Sequence, residues 1–171
     1  MLEVAASVGD TVMLHPFNSR ASLEQQALPA VERGLRSAGR ERGEIEVMAV
    51  CLIVTGATGP ELDAAVAVAR SQLAFYASTP AYAPVLGCHG WEELHPRLNA
   101  MSKEGRWSEM SGLIPDDLLE SIAVVGRRDE IAAGVTARVA GVADIVSLEC
   151  TRLPDAAHFA DIVAALKSRP V

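Results

Sequence analysis

The sequence predicts an α/β protein built on a parallel sheet that is too small to close on itself. The run Glu46–Thr55 is apolar without alternation, as expected of a strand covered on both faces. Two shorter apolar runs, Thr11–His15 and Ala143–Cys150, are separated from it by segments long enough for helical crossovers, so the strands should be parallel with right-handed connections. Three principal strands are few for 171 residues. Such a sheet keeps two free edges, and strands this apolar need cover on both sides, so the chain reads as part of a larger architecture.

Each element follows from local signals. Leu2–Val8 has helical spacing and stops at Gly9-Asp10, with no cap ahead of it. Thr11–His15 ends at Pro16, as a buried strand opening into a loop. Ser22 and Gln25 have the spacing of a capping box, and Leu28, Val31 and Leu35 continue the helix, which Pro29 should bend or restart and Gly39 should end. After the central strand, Pro60 at a first helical position and the acids Glu61 and Asp63 open a long helix with Leu62, Val66, Ala69 and Leu73 on one face, running to about Tyr76. An inserted loop with short helices, rich in Pro, Gly and aromatics, occupies about residues 78–121. Ile122–Gly126 is a short extended segment, a helix follows from Asp129 to Val139, and Pro154-Asp155 opens a terminal helix carrying Phe159, Val163 and Leu166. The whole chain, 1–171, reads as a single domain.

Composition excludes several classes. Half of the residues are apolar, which argues for a folded core. A net charge of −7 with scattered basic residues argues against a nucleic-acid partner, and Arg33, Arg36, Arg40 and Arg42 read as a solvated helix face. Cys51, Cys88 and Cys150 have no paired spacing, so neither a zinc site nor a disulfide framework is expected. The N-terminal residues lack a basic, apolar signal and no run is long enough to span a bilayer, so a cytoplasmic protein without membrane contact is expected.

Gly9–Asn18 (Gly-Asp-Thr-Val-Met-Leu-His-Pro-Phe-Asn), Ala74–Tyr82 (Ala-Phe-Tyr-Ala-Ser-Thr-Pro-Ala-Tyr), His89-Gly-Trp91, Gly105–Met110 and Ala123–Gly126 together resemble the luciferase-like monooxygenases, and most of all their deazaflavin-dependent branch. The resemblance extends over essentially the whole chain but only the second part of the family's usual length. It implies a partial (β/α) TIM-type barrel, the last three strand–helix units with an inserted helical segment, and chemistry at the C-terminal strand ends. It also implies coenzyme F-420 (a deazaflavin) or FMN as cofactor, with the Gly-rich phosphate turn and most ring contacts upstream of Met1. Two departures stand out. Thr11 replaces a family glycine, at about 1 kcal/mol if that turn needs positive φ, and Arg127-Arg128 replaces Ser/Thr-Pro.

His15, at the mouth end of its strand, either binds substrate and exchanges a proton there or is a hydrogen-bonded strand-end histidine. Asn18 is its companion, as ligand contact or turn residue, and Thr55 is a second mouth contact or a strand terminator. His89 and Trp91, with Tyr76 and Tyr82, either shape a pocket or pack the inserted loop. Arg106-Trp107 is an anion or cation–π site or a turn, Glu149 faces the mouth or a loop amide, and His95 and His158 are expected at the surface. No Ser-His-Asp spacing, phosphate loop or metal motif is present, so redox chemistry would belong to the cofactor and the catalytic residues stay unassigned. Two functions follow. The first is an oxidoreductase segment acting on a small organic substrate by hydride transfer or monooxygenation, inactive in isolation. The alternative is a non-catalytic remnant, or an assembly module that pairs with itself or with a separately encoded N-terminal half.

Overall fold

The computed structural model describes residues 1–152 and 155–168. In chain order it contains α1 (Leu2–Val8), β1 (Thr11–Leu14), α2 (Arg20–Ser22), α3 (Leu28–Ala38), β2 (Glu46–Val54), α4 (Gly59–Ala77), α5 (Ala83–Gly87) and α6 (Leu94–Lys103). There follow α7 (Trp107–Met110), α8 (Asp116–Ile122), β3 (Ala123–Val125), α9 (Arg128–Val139), β4 (Ile145–Cys150) and α10 (Ala156–Lys167). The expected start of the last helix at Pro154 lies outside the described residues; Asp155 caps it by accepting from the Ala157 and His158 amides at 3.0 Å.

All strand pairs are parallel. Met48 and Ala49 of β2 pair with β1 and also with β4, so β1 and β4 lie on opposite edges of β2. Leu52 and Ile53 pair with both β3 and β4, which puts β3 on the β1 edge, beyond the end of β1. The order β1–β2–β4 is the sequential order of a barrel wall, and β3 extends the mouth end.

The two sheet faces have different cover. Val12 and Leu14 of β1, the odd-numbered residues Val47–Ile53 of β2, Val124, and Val146, Leu148 and Cys150 of β4 share one face. Helices α1 and α3 cover its β1 side, and α9 and α10 cover its β4 side. On the opposite face only the C-terminal end is closed, where α4 and the helices of the inserted segment pack on Leu52, Val54 and Ala123. Helix α4 thus lies on the opposite face from α1, α3, α9 and α10, where it crosses the mouth. The rest of that face is open, and Met13 stands 66% exposed in the middle of a strand.

Local chemistry explains the remaining differences from expectation. The capping box forms one turn earlier than Ser22/Gln25: the Ser19 hydroxyl accepts from the Ser22 amide at 3.1 Å, and Ser22 Oγ accepts from the Ser19 amide at 2.8 Å. Proline lacks an amide hydrogen and its ring crowds the preceding turn, and ahead of Pro29 the helix widens into a π turn at Leu23–Ala27 without breaking. Gly39 ends α3 with φ of 67°. Thr11 carries no strain, since every non-glycine residue described has negative φ. The arginine run is less free than expected: Arg40 donates to the Ala6, Gly9 and Glu44 carbonyls, and Arg42 pairs with Asp144.

Candidate active site at the strand ends

Two strands and one helix converge on a polar cluster. His15 follows β1, Glu149 lies on the open face of β4, and Tyr76 with Gln72 comes from the last turns of α4, one helical turn apart. The His15 ring stacks on Tyr82 (centroids 4.3 Å, interplanar angle 21°) and meets Tyr76 edge-on (4.8 Å, 80°). Its Nδ1 accepts the Phe17 amide at 3.1 Å, which leaves the proton of a neutral ring on Nε2. Gln72 Nε2 donates to Glu149 Oε1 at 2.7 Å and to the Tyr76 hydroxyl at 2.8 Å. One carboxylate oxygen is thereby engaged and held in place. His15 and Glu149 border a concavity of ≈ 570 Å³ on the open face, with Met13, Val50 and Ser147 among its other walls.

Packing against the tyrosines lowers the His15 pKa, and the nearby Glu149 charge only partly restores it. Burial raises the Tyr76 phenol. At neutral pH the cluster therefore presents a neutral imidazole N–H, a phenol and a carboxylate around an apolar floor. That is a donor and an acceptor set for a small polar group on an otherwise apolar molecule.

The other sequence candidates are placed differently. Asn18 is 5% exposed, and its amide donates to the His15 carbonyl at 2.6 Å and the Val50 carbonyl at 3.1 Å. It bridges the interval on the β2 edge between the end of β1 and the start of β3, where no strand partner is available to Val50. Thr55 is 4% exposed, and its hydroxyl lies 2.9 Å from His158 Nε2. His158 is thus half-buried and partnered rather than a free surface residue, because Asp155 starts α10 close enough to the β2 end for its first turn to reach Thr55. His95 is likewise half-buried, with Nδ1 at 2.9 Å from the Ala77 carbonyl. His89 stacks on Trp91 (5.1 Å, 25°) and its Nε2 lies 2.7 Å from Ser19 Oγ. His89 and Ser19 border a separate polar depression with Arg20, Glu120 and Arg138, away from the Glu149 wall. Arg106 is exposed and held by Glu104 and Glu109.

Gln72 and Arg138 were missed by sequence reasoning. Gln72 could have been found as the polar residue four before Tyr76 on a helix with an otherwise apolar face. Arg138 had no such signal. It donates to the carbonyls of Asn18, Glu120, Ile122 and Ala123, and burial lowers its pKa.

The histidines give a pH prediction. Burial lowers both His15 and His89 below the ordinary value of 6.5, with Arg138 adding to the effect at His89. The unfolded chain then binds more protons than the folded one just below that value. Their contribution is complete above it and is lost as pH falls through it towards the folded values. Thermal unfolding should show a plateau at neutral pH and a falling Tm from about pH 6.5 down. The double variant His15→Asn/His89→Asn should flatten that slope, and an unchanged slope would show that neither ring is responsible.

The comparisons with known proteins bear on the fold that carries this cluster. The sequence profile of the luciferase-like monooxygenases matches residues 1–144. The chain belongs to the luciferase-like monooxygenase family. Uncharacterised proteins of Mycobacterium bovis and Mycobacterium tuberculosis are 45% identical over 146 residues, which is 85% of this chain and 43% of each relative. The chain thus spans under half the length of the curated relatives it matches. The coenzyme F420-dependent tetrahydromethanopterin reductase of Methanopyrus kandleri superposes with a TM-score of 0.71 at 23% identity, over 96% of this chain and 46% of that one. An F420-dependent secondary alcohol dehydrogenase, solved with an F420-acetone adduct, superposes at 0.61 and 15% identity, over 96% and 45%. These likenesses establish the fold as part of the luciferase-like barrel. Among the described residues no helix is long and apolar enough to cross a membrane, and no group of three or more His, Cys, Asp or Glu side chains could hold a metal.

Proposed function

We propose that this luciferase-like chain forms the substrate side of a deazaflavin- or flavin-dependent oxidoreductase site and that further polypeptide supplies the cofactor side. The observation that carries this reading is the His15–Glu149 pair, held at the strand ends by Tyr82 and Gln72 beside an apolar concavity. The residues present fit one wall of a flavin-type site, with an apolar floor and one polar rim, and the opposite wall is open solvent. When bound, such a cofactor supplies or takes a hydride. The chain's own part is to hold the substrate: His15 Nε2–H donates to a substrate oxygen, the free oxygen of Glu149 accepts from a substrate hydroxyl, and Met13 and Val50 contact its apolar portion. The α4 mouth helix excludes water from one side, which strengthens those hydrogen bonds.

Fluorescence titration with FMN and with coenzyme F420 tests this. The chain by itself should give no saturable change at micromolar concentration, because one open wall leaves the ring in water. Saturable binding should appear once a polypeptide covering the rest of a mycobacterial relative's length is added. Submicromolar binding by the chain alone, lost on His15→Ala, would overturn the one-walled site. No binding in the mixture either would favour a non-catalytic assembly module.

A further inference from the structure

The two ends of the sheet carry complementary apolar surface that the proposed function does not use. At one end, α1 exposes Val4 (64%) and Val8 (78%), four residues apart on one helix face, beside the free edge of β1. At the other end, the free edge of β4 is flanked by a groove of ≈ 490 Å³ between β4, α9 and α10, lined by Val135, Val139, Val146, Phe159, Val163 and Leu166. Every β4 residue is only half-buried. One end is thus an apolar ridge beside a strand edge, and the other is an apolar groove beside a strand edge.

We propose that a second copy of this chain occupies both ends, with β4 of each copy pairing in parallel with β1 of the other and α1 seated in the facing α9/α10 groove. All strands of one copy run in one direction. A twofold axis along that direction therefore makes two equivalent β4–β1 contacts and leaves neither edge free. Direct β4–β4 pairing about a twofold would be antiparallel and would leave Val4 and Val8 in water. In the dimer the C-terminal end of the second copy's β1, which carries His15, arrives beside β4 at the end that carries Glu149. Each mouth then gains a second substrate side from the other copy, which supplies no cofactor side. This inference rests on the strand edges and the apolar ends, not on the oxidoreductase reading, and needs no cofactor to test.

Sedimentation velocity of the full chain at micromolar concentration should show a dimer. Val4→Asp/Val8→Asp should weaken association roughly tenfold or more with an unchanged circular dichroism spectrum, since both side chains face solvent in one copy. Val163→Asp in the groove should do the same. Mixing the α1 variant with the groove variant should restore part of the dimer, because a mixed pair keeps one intact contact. A monomer at these concentrations overturns the proposal, as does a dimer indifferent to the α1 substitutions. So does a mixture that fails to recover, given that each variant alone retains its spectrum.

Discussion

Gly34→Val should destabilise the chain by roughly 3 kcal/mol, at the upper end of what overpacking a close contact costs. A Cβ at this position, in the middle of α3, would lie 2.2 Å from the Glu3 carbonyl oxygen and 2.9 Å from the Ala6 Cβ of α1. The first of these neighbours is backbone, so no rotamer change relieves the clash, and α1 must move away from α3 as a body. Alanine would regain up to about 1 kcal/mol of helix propensity over glycine, yet it brings the same Cβ, so Gly34→Ala should still be destabilising. The movement would uncover Ala6 and Val31, both buried at that contact. Gly59→Ala is the control: it stands at the start of α4 with nothing within 4 Å and ordinary φ, and should be neutral or slightly stabilising. Urea unfolding of the three variants decides the matter. Equal midpoints for Gly34→Val and the parent would mean that the helices pack less closely than described.

Arg138→Ala should be of similar size, about 3 kcal/mol, for a different reason. The guanidinium is the donor for the Asn18, Ile122 and Ala123 carbonyls, which lie in the loop after β1 and at the junction of α8 with β3. A buried acceptor left without a donor costs about 1–3 kcal/mol. Removing the buried charge returns part of the loss, because burial disfavours the cation. Arg138→Lys should recover little: one ammonium cannot reach carbonyls spread around a planar fork. Since Asn18 in turn holds the His15 carbonyl, the variant should also loosen the His15 ring. The expected readouts are a lowered unfolding midpoint and a His15 imidazole resonance moved towards that of a free histidine. Loss of stability with an unshifted His15 signal would separate the arginine from the site.

Much of the fold was legible where one local rule suffices. The run at Glu46–Val54 is apolar at nearly every position, and a strand covered on both faces along most of its length is what it becomes. Gly39 and Pro60 marked a helix end and a helix start through backbone sterics alone. The site was legible only in part. His15 was found because it ends a strand before a proline, and its aromatic neighbours Tyr76 and Tyr82 because they fall in a dense aromatic loop. His89 and Trp91 come from the same loop, but they pack towards Ser19 and not towards His15, a choice that depends on how the loop folds back.

The sequence by itself determined the class of structure: parallel strands, helical crossovers, a sheet with too few strands to close and a family resemblance carried by its strand-end peptides. The first three rest on hydrophobic period and on the conformational limits of proline and glycine, which act within a few residues, and the resemblance on the quoted peptides themselves. Only the tertiary structure decided which face of the sheet each helix covers, since the spacing of Ala65, Ala69 and Leu73 says that α4 buries a stripe but not against what. It also decided that Glu149, Gln72 and His15, up to 134 residues apart, meet at one mouth. The physical reason is that a hydrogen bond between distant residues is specified by the register of the strands and the path of α4 together. Neither is written in the local pattern of either partner.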